Sequence, residues 1–364
     1  MLDRTKYYMI TVGFTFILAM VFILNIIAED KQISNSERRK LSQFPKLNSE
    51  DILSGETSED FEQYAMDQFI LRDEFRKIKS TISINVFKQQ DNNKLFEKDN
   101  AIYKIEYPLN RSNVEKSSNK INEIYNKYLK DMNVYYAIIP DKNYYLENDN
   151  HLKMNYNELK EIVNNTLKDI KYIEIWEELS LDDYYRTDTH WKQENLQDVV
   201  NKIEKEMKLK STTNKNYNIE EIGDFYGVYF GQLSANVEPD KIYIKTNDVI
   251  DNCITYNYEN LKYGKVYDKE KYKNASDKYD IYLSGATPLI SIENPNSNTE
   301  KELLLFRDSY GSSIAPLLLE NYKKITLIDV RYISSNILEN YIEFENQDVL
   351  FLYSTLVLNQ NILK

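Results

Sequence analysis

The feature that most constrains the fold is a regular alternation of short apolar runs with amphipathic helical patterns. The runs VYYAIIP, KYIEIW, ELLLF, KKITLIDV and DVLFLYS have the length of strands, and helical patterns such as NELKEIVNNTLKDI lie between them. Strands that alternate with helices along a chain form a parallel sheet whose faces the helices cover. The sequence therefore predicts a three-layer α/β fold, with the strand before Arg307 near the centre of the sheet.

The stretch over residues 219–294 breaks this alternation. Three glycines punctuate its first part, and it contains short β-prone runs such as KIYIKT and NCITYNY. Such runs, bounded by turn residues, favour antiparallel pairing. We predict an inserted, partly antiparallel region here, within a catalytic domain of residues 111–364 that follows a stalk and helical region over residues 31–110.

A long apolar run, MITVGFTFILAMVFILNIIA, extends from Met9 to Ala28. This length is close to the roughly 20 apolar residues that span a bilayer. Arg4 and Lys6 precede the run and Glu29 follows it, so the positive-inside rule predicts a cytoplasmic tip and transmembrane anchor over residues 1–30. The remainder of the chain is then expected outside the cell membrane. A cleaved signal peptide is the alternative, although the run is long for one and no A-x-A-like cleavage motif is evident.

Composition excludes several classes of protein. Hydrophobic residues make up 42% of the chain, which is enough for a globular core. The formal charge of −12 argues against a nucleic-acid partner, because such proteins need clustered Lys and Arg. The single cysteine, Cys253, allows no intramolecular disulfide and no cysteine-based zinc site. The chain also lacks the G-x-x-x-x-G-K-[ST] motif of phosphate-binding loops.

The segment LLLFRDSYGSS places Ser309 directly after a buried strand and before a helix that begins near Gly311. Ligands of open α/β sheets bind at the carboxyl ends of the strands, where helix N-termini stabilise negative charge. Ser309 therefore stands where a nucleophile is expected. The alternative is that Ser309 or Ser312 only caps the helix.

A serine nucleophile needs a base, and the chain contains two histidines, His151 and His190. His151 lies in the polar stretch ENDNHLKMN and is interpreted as a surface residue. Asp188 stands two positions before His190, and residues i and i+2 of an extended segment project to the same side. The carboxylate is thus placed to orient the imidazole, with its other nitrogen toward Ser309. A solvent-exposed loop histidine remains the alternative.

A metal centre is the alternative interpretation of the residues around His190. Asp182, Asp183, Asp188 and His190 are close enough in sequence to gather around a cation. With no second histidine nearby and no usable cysteine, this would be an unusual zinc ligand set. We expect no metal and no bound cofactor.

These motifs resemble a known group of proteins. TDTHW, followed by the strand, RDSYGSS and a helix, and then by LIDVRYI, is similar to the DHHW proteins of Gram-positive bacteria and to the AlgJ and AlgX alginate O-acetyltransferases of the SGNH-hydrolase-like group. SERRKLSQFPKL resembles the group's Glu-x-Arg-x-Leu…Pro entry, and DQFILRDEF its Asp-x-Phe…Arg element. The resemblance implies an SGNH-like, flavodoxin-like parallel sheet. It extends from about Ser34 to the C-terminus.

The resemblance implies roles for three residues: Ser309 as the nucleophile, His190 as the general base and Asp188 as the residue that orients the base. Two departures from the group's pattern are DTHW in place of Asp-His-His-Trp and RDS in place of Gly-Asp-Ser, with Arg307 before the aspartate. The first departure leaves the proposed catalytic positions intact. The second resembles the basic residue of the Gram-positive branch and weakens a simple esterase assignment.

The oxyanion and substrate groups are less sharply indicated. The N–H of Ser309 is one expected oxyanion donor. LSGATPLISI corresponds to a glycine-rich loop of the group, which makes Gly285 and Thr287 further candidates, although Thr287 stands where an amide side chain would be expected. Substrate-binding candidates at the same edge of the sheet are Arg331, Tyr353 and Tyr310, each of which can also be an ordinary strand-end residue.

The function implied is an extracytoplasmic O-acetyltransferase that acetylates hydroxyls of an exopolysaccharide or cell-wall polysaccharide through an acyl-enzyme. The resemblance also implies a partner-derived acetyl donor, a membrane-bound O-acyltransferase (MBOAT) and a glycan synthase complex. A carbohydrate acetylesterase, with water as the acceptor, is one alternative. A non-catalytic polysaccharide-binding subunit is the other.

Overall fold

The protein is described by a computed structural model that covers residues 2–34, 36–147, 150–212, 216–233 and 237–364. Two compact units are distinguished: Met1–Asn92 with Gly231–Asn236, and Asn93–Phe230 with Val237–Lys364. The division after Asn92 differs from the predicted domain boundary after residue 110, because the hairpin that follows Asn92 belongs to the second unit.

The first unit contains the N-terminal helix, a short hairpin and three further helices. These are α1 (Leu2–Ile27), β1 (Ile33–Ser34), β2 (Arg39–Lys40), α2 (Ser49–Ser54), α3 (Glu56–Asp67) and α4 (Arg72–Thr81), which continues as a π-helical turn (Ile82–Val86). Among the described residues, α1 is the one helix long and apolar enough to cross a membrane, over Arg4–Ile27. Its position agrees with the predicted apolar run.

An ion-pair network joins the N-terminal segments SERRKLSQFPKL and DQFILRDEF. The guanidinium of Arg39 forms two hydrogen bonds to Asp67, at 2.8 and 2.6 Å, and Arg72 contacts Glu37 at 2.7 Å. The paired guanidinium holds the pKa of Asp67 well below its usual range. Asp67 also accepts a hydrogen bond from the backbone N–H of Ser42. These charges therefore fix the end of α3 against the β1–β2 hairpin.

The second unit carries the main sheet. Its strands are β3 (Leu95–Lys98), β4 (Ala101–Lys104), β5 (Asn133–Ile139), β6 (Lys171–Tyr172), β7 (Asn218–Phe225), β8 (Asp240–Thr246), β9 (Ile254–Asn257), β10 (Lys262–Gly264), β11 (Leu289–Glu293), β12 (Glu302–Arg307), β13 (Lys324–Ile328) and β14 (Asp348–Ser354). The helices are α5 (Arg111–Ile124), α6 (Tyr156–Thr166), α7 (Gln197–Glu206), α8 (Val228–Leu233), α9 (Asp248–Asn252), α10 (Lys269–Asn274), α11 (Gly311–Leu318) and α12 (Thr355–Gln360). The last residues of α8 count with the first unit.

The main sheet is mostly parallel. Within the described residues its strand order is β10-β9-β11-β13-β12-β14-β5-β6, and the strands from β13 to β6 pair in parallel. The strand that ends at Arg307, β12, lies inside this sheet between β13 and β14. The prediction of an α/β fold with this strand near the centre is confirmed.

The region predicted as an insertion, residues 219–294, is only partly separate from the sheet. The strands β7 and β8 form their own antiparallel hairpin. In contrast, β9, β10 and β11 extend the main sheet by antiparallel pairing, and β11 lies directly beside β13. The predicted antiparallel pairing is therefore present, but three of the strands extend the main sheet, because short strands do not reveal in sequence which edge they join.

The core explains why these elements stay together. Successive residues of β12, from Leu303 to Phe306, are fully or almost fully buried, as expected of a central parallel strand with both faces covered. On the helices, α5 packs against α6 and α12, while α11 packs against α7. One apolar core contains side chains from the sheet and both helix groups. This packing holds the carboxyl ends of β12, β13 and β14 at one edge.

Candidate active site

Ser309 lies at that edge, between the end of β12 and the start of α11. The turn is tight: a Cβ at Gly311 would stand 2.5 Å from Cβ of Arg307, so glycine is required there. No side-chain hydrogen bond caps the described start of α11, so the structure does not support Ser309 or Ser312 as a helix cap. Ser309 is also partly exposed, whereas its neighbours Asp308 and Tyr310 are buried.

A chain of short hydrogen bonds links Asp188, His190 and Ser309. Nδ1 of His190 lies 2.6 Å from Oδ1 of Asp188, and Nε2 of the same ring lies 2.7 Å from Oγ of Ser309. A buried carboxylate accepts hydrogen bonds, so the Nδ1 proton is assigned to the Asp188 side and the Nε2 lone pair faces the serine hydroxyl. The structure thus brings together the three residues that the sequence singled out.

The aspartate is held from two sides. The backbone N–H of His190 donates to Oδ1 of Asp188 at 3.1 Å, and that of Val228 donates to Oδ2 at 2.7 Å. Asp188 is fully buried, and a buried carboxylate needs such donors to remain stable. The donor from Val228 comes from the segment after β7, so the predicted insertion contributes directly to the site.

The loop that carries His190, the candidate base, comprises residues 185–190 and is here called the base loop. Its ends are closed by a hydrogen bond from the N–H of Tyr185 to the carbonyl of His190, at 3.0 Å. The buried carboxylate of Asp240, at the start of β8, accepts from the N–H groups of Arg186 and Thr187 and from the Thr187 hydroxyl, at 3.0, 2.8 and 2.6 Å. A Cβ at Gly227 would stand 2.3 Å from the carbonyl oxygen of Thr187, which is why glycine follows β7.

A buried lysine supports the base loop from below. Nζ of Lys142 donates to the carbonyls of Tyr185 and Arg186, at 2.9 and 3.0 Å. The same ammonium lies 5.1 Å from the ring centroid of Tyr103 and 5.2 Å from that of Tyr229. These four contacts satisfy a group that would otherwise be costly to bury.

Aromatic rings fix the imidazole itself. The ring of Tyr279 stacks on His190, with centroids 3.9 Å apart and planes 10° apart. Its hydroxyl donates to Oγ of Ser313 on α11, and Nε1 of Trp191 donates to the same oxygen. Tyr310 also contacts His190, and its hydroxyl donates to the carbonyl of Thr189 at 2.7 Å. The hydroxyl of Tyr310, a substrate-binding candidate from the sequence, is therefore hydrogen-bonded within the protein.

A second group of buried polar residues, here called the strand-end cluster, comprises Thr287, Arg307, Asp329, Arg331 and Tyr353. Arg331 donates to both carboxylate oxygens of Asp329, at 2.8 and 2.6 Å, and Arg307 contacts that carboxylate at 3.4 Å. Burial lowers the pKa of Arg307 from its ordinary value. Within the described part of the chain, Nε of Arg307 and the hydroxyls of Thr287 and Tyr353 have no hydrogen-bond partner.

Gly285 adopts a left-handed conformation with φ of 88°, and a Cβ there would stand 2.3 Å from Asp280. Its N–H donates to the carbonyl of Tyr282 at 3.2 Å. The amide is therefore occupied in this structure, and the oxyanion role of Gly285 stays a prediction without geometric support. The roles of Thr287, Arg331 and Tyr353 toward substrate also stay predictions.

His151 does not contact Ser309 or Asp188 through any contact described here. The sequence interpretation of it as a plain surface residue is wrong, because it is half-buried and its ring stacks on Phe96 with centroids 3.6 Å apart. The described residues contain no group of three His, Cys, Asp or Glu side chains that could hold a metal ion. Asp183, one of the residues of the metal alternative, instead accepts from Ser180.

Sequence reasoning missed Asp240, Lys142 and Tyr279. Asp240 and Tyr279 lie in the stretch interpreted as an insertion, and nothing in their neighbouring residues distinguishes them from surface positions. Lys142 did follow a recognised strand and the Pro140 turn, at the edge where ligands bind. That position was the one signal that could have drawn attention to it.

Residues 153–328 match the family described as DHHW protein. This part of the chain is a DHHW domain. The match contains Asp188, His190 and Ser309, and it ends before Arg331 and Tyr353. No curated protein matches the chain.

Solved structures share the fold around the DHHW domain. A DHHW family protein from Eubacterium siraeum DSM 15702 superposes with a TM-score of 0.59 at 20% identity, covering 75% of this chain and 95% of its own. Bacillus cereus PatB1, solved with a sulfonyl adduct, gives 0.56 at 21% identity over 74% and 97% of the two chains. The O-acetyltransferase domain of Pseudomonas putida AlgJ gives 0.44 at 8% identity over 72% and 90%. The first two likenesses establish the fold that the DHHW domain adopts.

Proposed function

We propose that this protein is a membrane-anchored O-acetyltransferase that transfers acetyl groups to hydroxyls of an extracellular or cell-wall polysaccharide. The observation that carries the proposal is the hydrogen-bonded chain from Asp188 through His190 to Ser309, at the carboxyl edge of a parallel sheet. In this arrangement the nucleophile, the base and the residue that orients the base are already within contact distance.

The chemistry follows from the two ring nitrogens of His190. As Oγ of Ser309 attacks an acetyl carbonyl, Nε2 accepts the hydroxyl proton, and the imidazolium that forms is stabilised by Asp188 through Nδ1–H. Collapse of the tetrahedral intermediate expels the donor's leaving group, which takes the proton from Nε2 and leaves an acetyl-serine. A sugar hydroxyl then attacks that ester while Nε2 accepts its proton. When the second tetrahedral intermediate collapses, the bond to Oγ of Ser309 breaks, Oγ takes the proton back from Nε2, and the acetyl group stays on the sugar.

The anchor supports an extracytoplasmic site. We propose that α1 spans the membrane with its N-terminus in the cytoplasm, since Arg4 and Lys6 precede the apolar stretch and Glu29 and Asp30 follow it. Cytoplasmic acetyl-CoA then has no direct access to Ser309. An MBOAT that delivers acetyl groups across the membrane is the corresponding donor partner, and a glycan synthase supplies the acceptor.

The runner-up function is a carbohydrate acetylesterase. The same three residues serve that reaction, and the difference lies in whether water or a sugar hydroxyl reaches the acetyl-serine. The partly exposed Arg331, at the same edge of the sheet, favours the transferase, because a polar group that binds and orients a sugar acceptor gives it an advantage over water.

The test uses the full chain in detergent with 4-nitrophenyl acetate as the acetyl donor. The native protein should release 4-nitrophenol, and addition of an oligosaccharide acceptor should divert acetyl from water to sugar, giving an acetylated product by mass spectrometry. Ser309→Ala should abolish both reactions, because no other group is placed to form the acyl-enzyme. A phenylmethylsulfonyl fluoride adduct should form on Ser309 and be lost in Ser309→Ala.

Ser312→Ala is the matched control and should retain activity. Ser312 lies three residues after Ser309, and no described side-chain hydrogen bond joins it to Asp188, His190 or Ser309. Acetate release that no glycan acceptor can divert would assign the esterase reaction instead. Full activity in Ser309→Ala would contradict both enzymatic functions and leave the non-catalytic subunit.

A further inference from the structure

Helix α4 and its π-helical extension carry their apolar residues on the outside. Leu71, Phe75, Ile78, Ile82 and Val86 follow one another at intervals of three and four residues, so they share one face, here called the apolar stripe. Each of them is between 40% and 66% exposed. Such a contiguous apolar surface is unusual for a face that meets water.

The opposite face of the same helix is polar and points into the first unit. Arg72 and Arg76 on that face are ion-paired with Glu37, at 2.7 and 3.4 Å, while Ser80 and Ser83 are buried. Arg76 also donates to the carbonyls of Gly231 and Gln232. The usual arrangement of a surface helix, with apolar residues inward and charges outward, is therefore reversed.

The start of the apolar stripe is attached to the anchor helix. The N–H of Ile70 donates to Oδ1 of Asn25 at 2.9 Å, and Nδ2 of Asn25 donates to the carbonyl of Val21 at 2.8 Å. Asn25 lies two residues before the end of α1 at Ile27, which corresponds to about 3 Å along the axis. The loop that leads into α4 thus stands level with the last turn of the anchor.

Two more contacts hold this loop where the anchor ends. The hydroxyl of Tyr64 donates to Asp30 at 3.1 Å, and the side chain of Gln68 accepts from the N–H of Lys31 at 2.9 Å and donates to its carbonyl at 3.0 Å. The apolar run Met9–Ala28 corresponds to about 30 Å of helix, which matches the roughly 30 Å of the hydrocarbon core. A bilayer around α1 therefore extends to the level of Ile70 and Leu71.

We infer that the apolar stripe inserts into the outer leaflet, so that α4 lies in the membrane interface beside the anchor. The occupant of the stripe is lipid, because the stripe begins at the membrane exit of α1 and continues the apolar surface of that helix. Lys77 and Lys79, exposed on the flanks of α4, suit a helix whose polar side meets phospholipid headgroups. This inference rests on the anchoring of α1 proposed above, and it is independent of the chemistry at Ser309.

The test places spin labels on the full chain in vesicles of phosphatidylcholine and phosphatidylglycerol. The background is Cys253→Ala, since Cys253 is buried and replacing it removes the native thiol. Labels at Phe75→Cys and Ile78→Cys should collide more with oxygen than with a water-soluble nickel chelate, at a depth of about 5–10 Å. The matched controls Glu74→Cys and Lys77→Cys, exposed on the same helix, should show the opposite preference.

A label at Phe16→Cys, in the middle of α1, separates the two proposals. If Phe16 is in lipid while Phe75 and Ile78 match the Glu74 control, the stripe inference is wrong and the anchor stands. If Phe16 itself meets the nickel chelate, the anchoring fails and the inference fails with it. If neither oxygen nor the nickel chelate reaches the labels at Phe75 and Ile78, protein covers the apolar stripe and the inference is wrong. If both reagents reach these labels once the protein is diluted into more lipid, the covering protein is a second copy of this chain.

Discussion

Two groups of polar side chains lie at the edge of the sheet that carries Ser309, and they differ in how their hydrogen bonds are used. Around the base loop, the carboxylate of Asp240 accepts four hydrogen bonds, and Asp188 accepts from two backbone N–H groups as well as from the imidazole. In the strand-end cluster, by contrast, two hydroxyls and one guanidinium nitrogen have no partner within the described residues.

This contrast indicates different tasks. A loop whose two carboxylates and backbone N–H groups are hydrogen-bonded in this way has little freedom to rearrange, although the buried hydroxyl of Tyr185 has no described partner. His190 is therefore oriented before any substrate arrives. Buried donors without acceptors cost about 1–3 kcal/mol each in an isolated protein, and such groups persist where they have a function. We interpret the base loop as preorganised for proton transfer and the strand-end cluster as the part that meets the acetyl or sugar oxygens.

The largest predicted effect concerns the triad. His190→Ala should lower the rate of 4-nitrophenyl acetate cleavage by about a thousandfold or more, because the serine loses its base. Asp188→Asn should retain more activity, since the base remains but is poorly oriented. The double variant should be no slower than His190→Ala alone, because the members act as one unit. Losses that multiply in the double variant would contradict this.

The second prediction tests the clamp on the base loop. Asp240→Asn should reduce kcat by about 10–100-fold, because an amide cannot accept from both backbone N–H groups and the loop loses about 1–3 kcal/mol of support. KM for 4-nitrophenyl acetate should change little, which a general loss of folding would not produce. Asp224→Asn, an exposed carboxylate on the partner strand of the same hairpin, is the control and should behave like the native protein.

The proximity of Asp188, His190 and Ser309 could be predicted from sequence because its information is local. Asp188 and His190 are two residues apart, and Ser309 follows a strand that an apolar run reveals, so the carboxyl edge of a parallel sheet brings them together. Asp240 could not be predicted in this way. Its partners lie in another loop, and its role depends on how the β7–β8 hairpin packs against the base loop.

The same limit applies to the fold. The parallel strands β5, β12, β13 and β14 carry buried apolar runs, so their existence could be predicted from the sequence. The antiparallel strands β9 and β10 are short and at most partly buried, whereas β11 is short but mostly buried, and pairing direction has no local signature in such segments. The outward-facing apolar residues of α4 could not be predicted from the sequence either. A helical pattern shows which residues share a face, but not whether that face contacts the protein core, water or lipid.

The third prediction compares buried hydroxyls that have no hydrogen-bond partner with one that has a partner. Thr287→Val and Tyr353→Phe should leave the melting temperature unchanged or slightly higher, because each removes a buried hydroxyl that bonds to no described group. If the hydroxyls contact substrate, each variant should slow acetyl transfer by about tenfold, because one hydrogen bond to the substrate is lost.

Tyr156→Phe is the matched comparison, because its hydroxyl donates to Asp141 at 2.8 Å. This variant should lower the free energy of unfolding by about 1 kcal/mol. Burial raises the pKa of Asp141 to about 6, which makes that carboxyl sensitive to the loss of a donor. Destabilisation by Thr287→Val or Tyr353→Phe to the same extent, with transfer unaffected, would show that the strand-end cluster is structural.

The fourth prediction concerns the protonation of Lys142, for which we expect the smallest effect on turnover. The quantity to measure is the free energy of unfolding as a function of pH. Burial lowers the pKa of Lys142 to about 7, although Asp188 and Asp240 favour its charged form. In the unfolded chain the group titrates near its ordinary value of about 10.4. Between these values the unfolded state binds the proton more readily, so the stability that neutral Lys142 contributes is present above pH 10.4 and is lost as pH falls toward 7.

Lys142→Met should remove this dependence. The difference in unfolding free energy between the native protein and the variant should therefore change across the window from pH 10 to pH 7, by at most about 1.4 kcal/mol per pH unit, and level off below pH 7. Lys116→Met on the exposed face of α5 is the control and should give a constant difference. A constant difference for Lys142→Met as well would mean that the ammonium stays charged, held by the carbonyls of Tyr185 and Arg186, and that the base loop rests on a permanent charge.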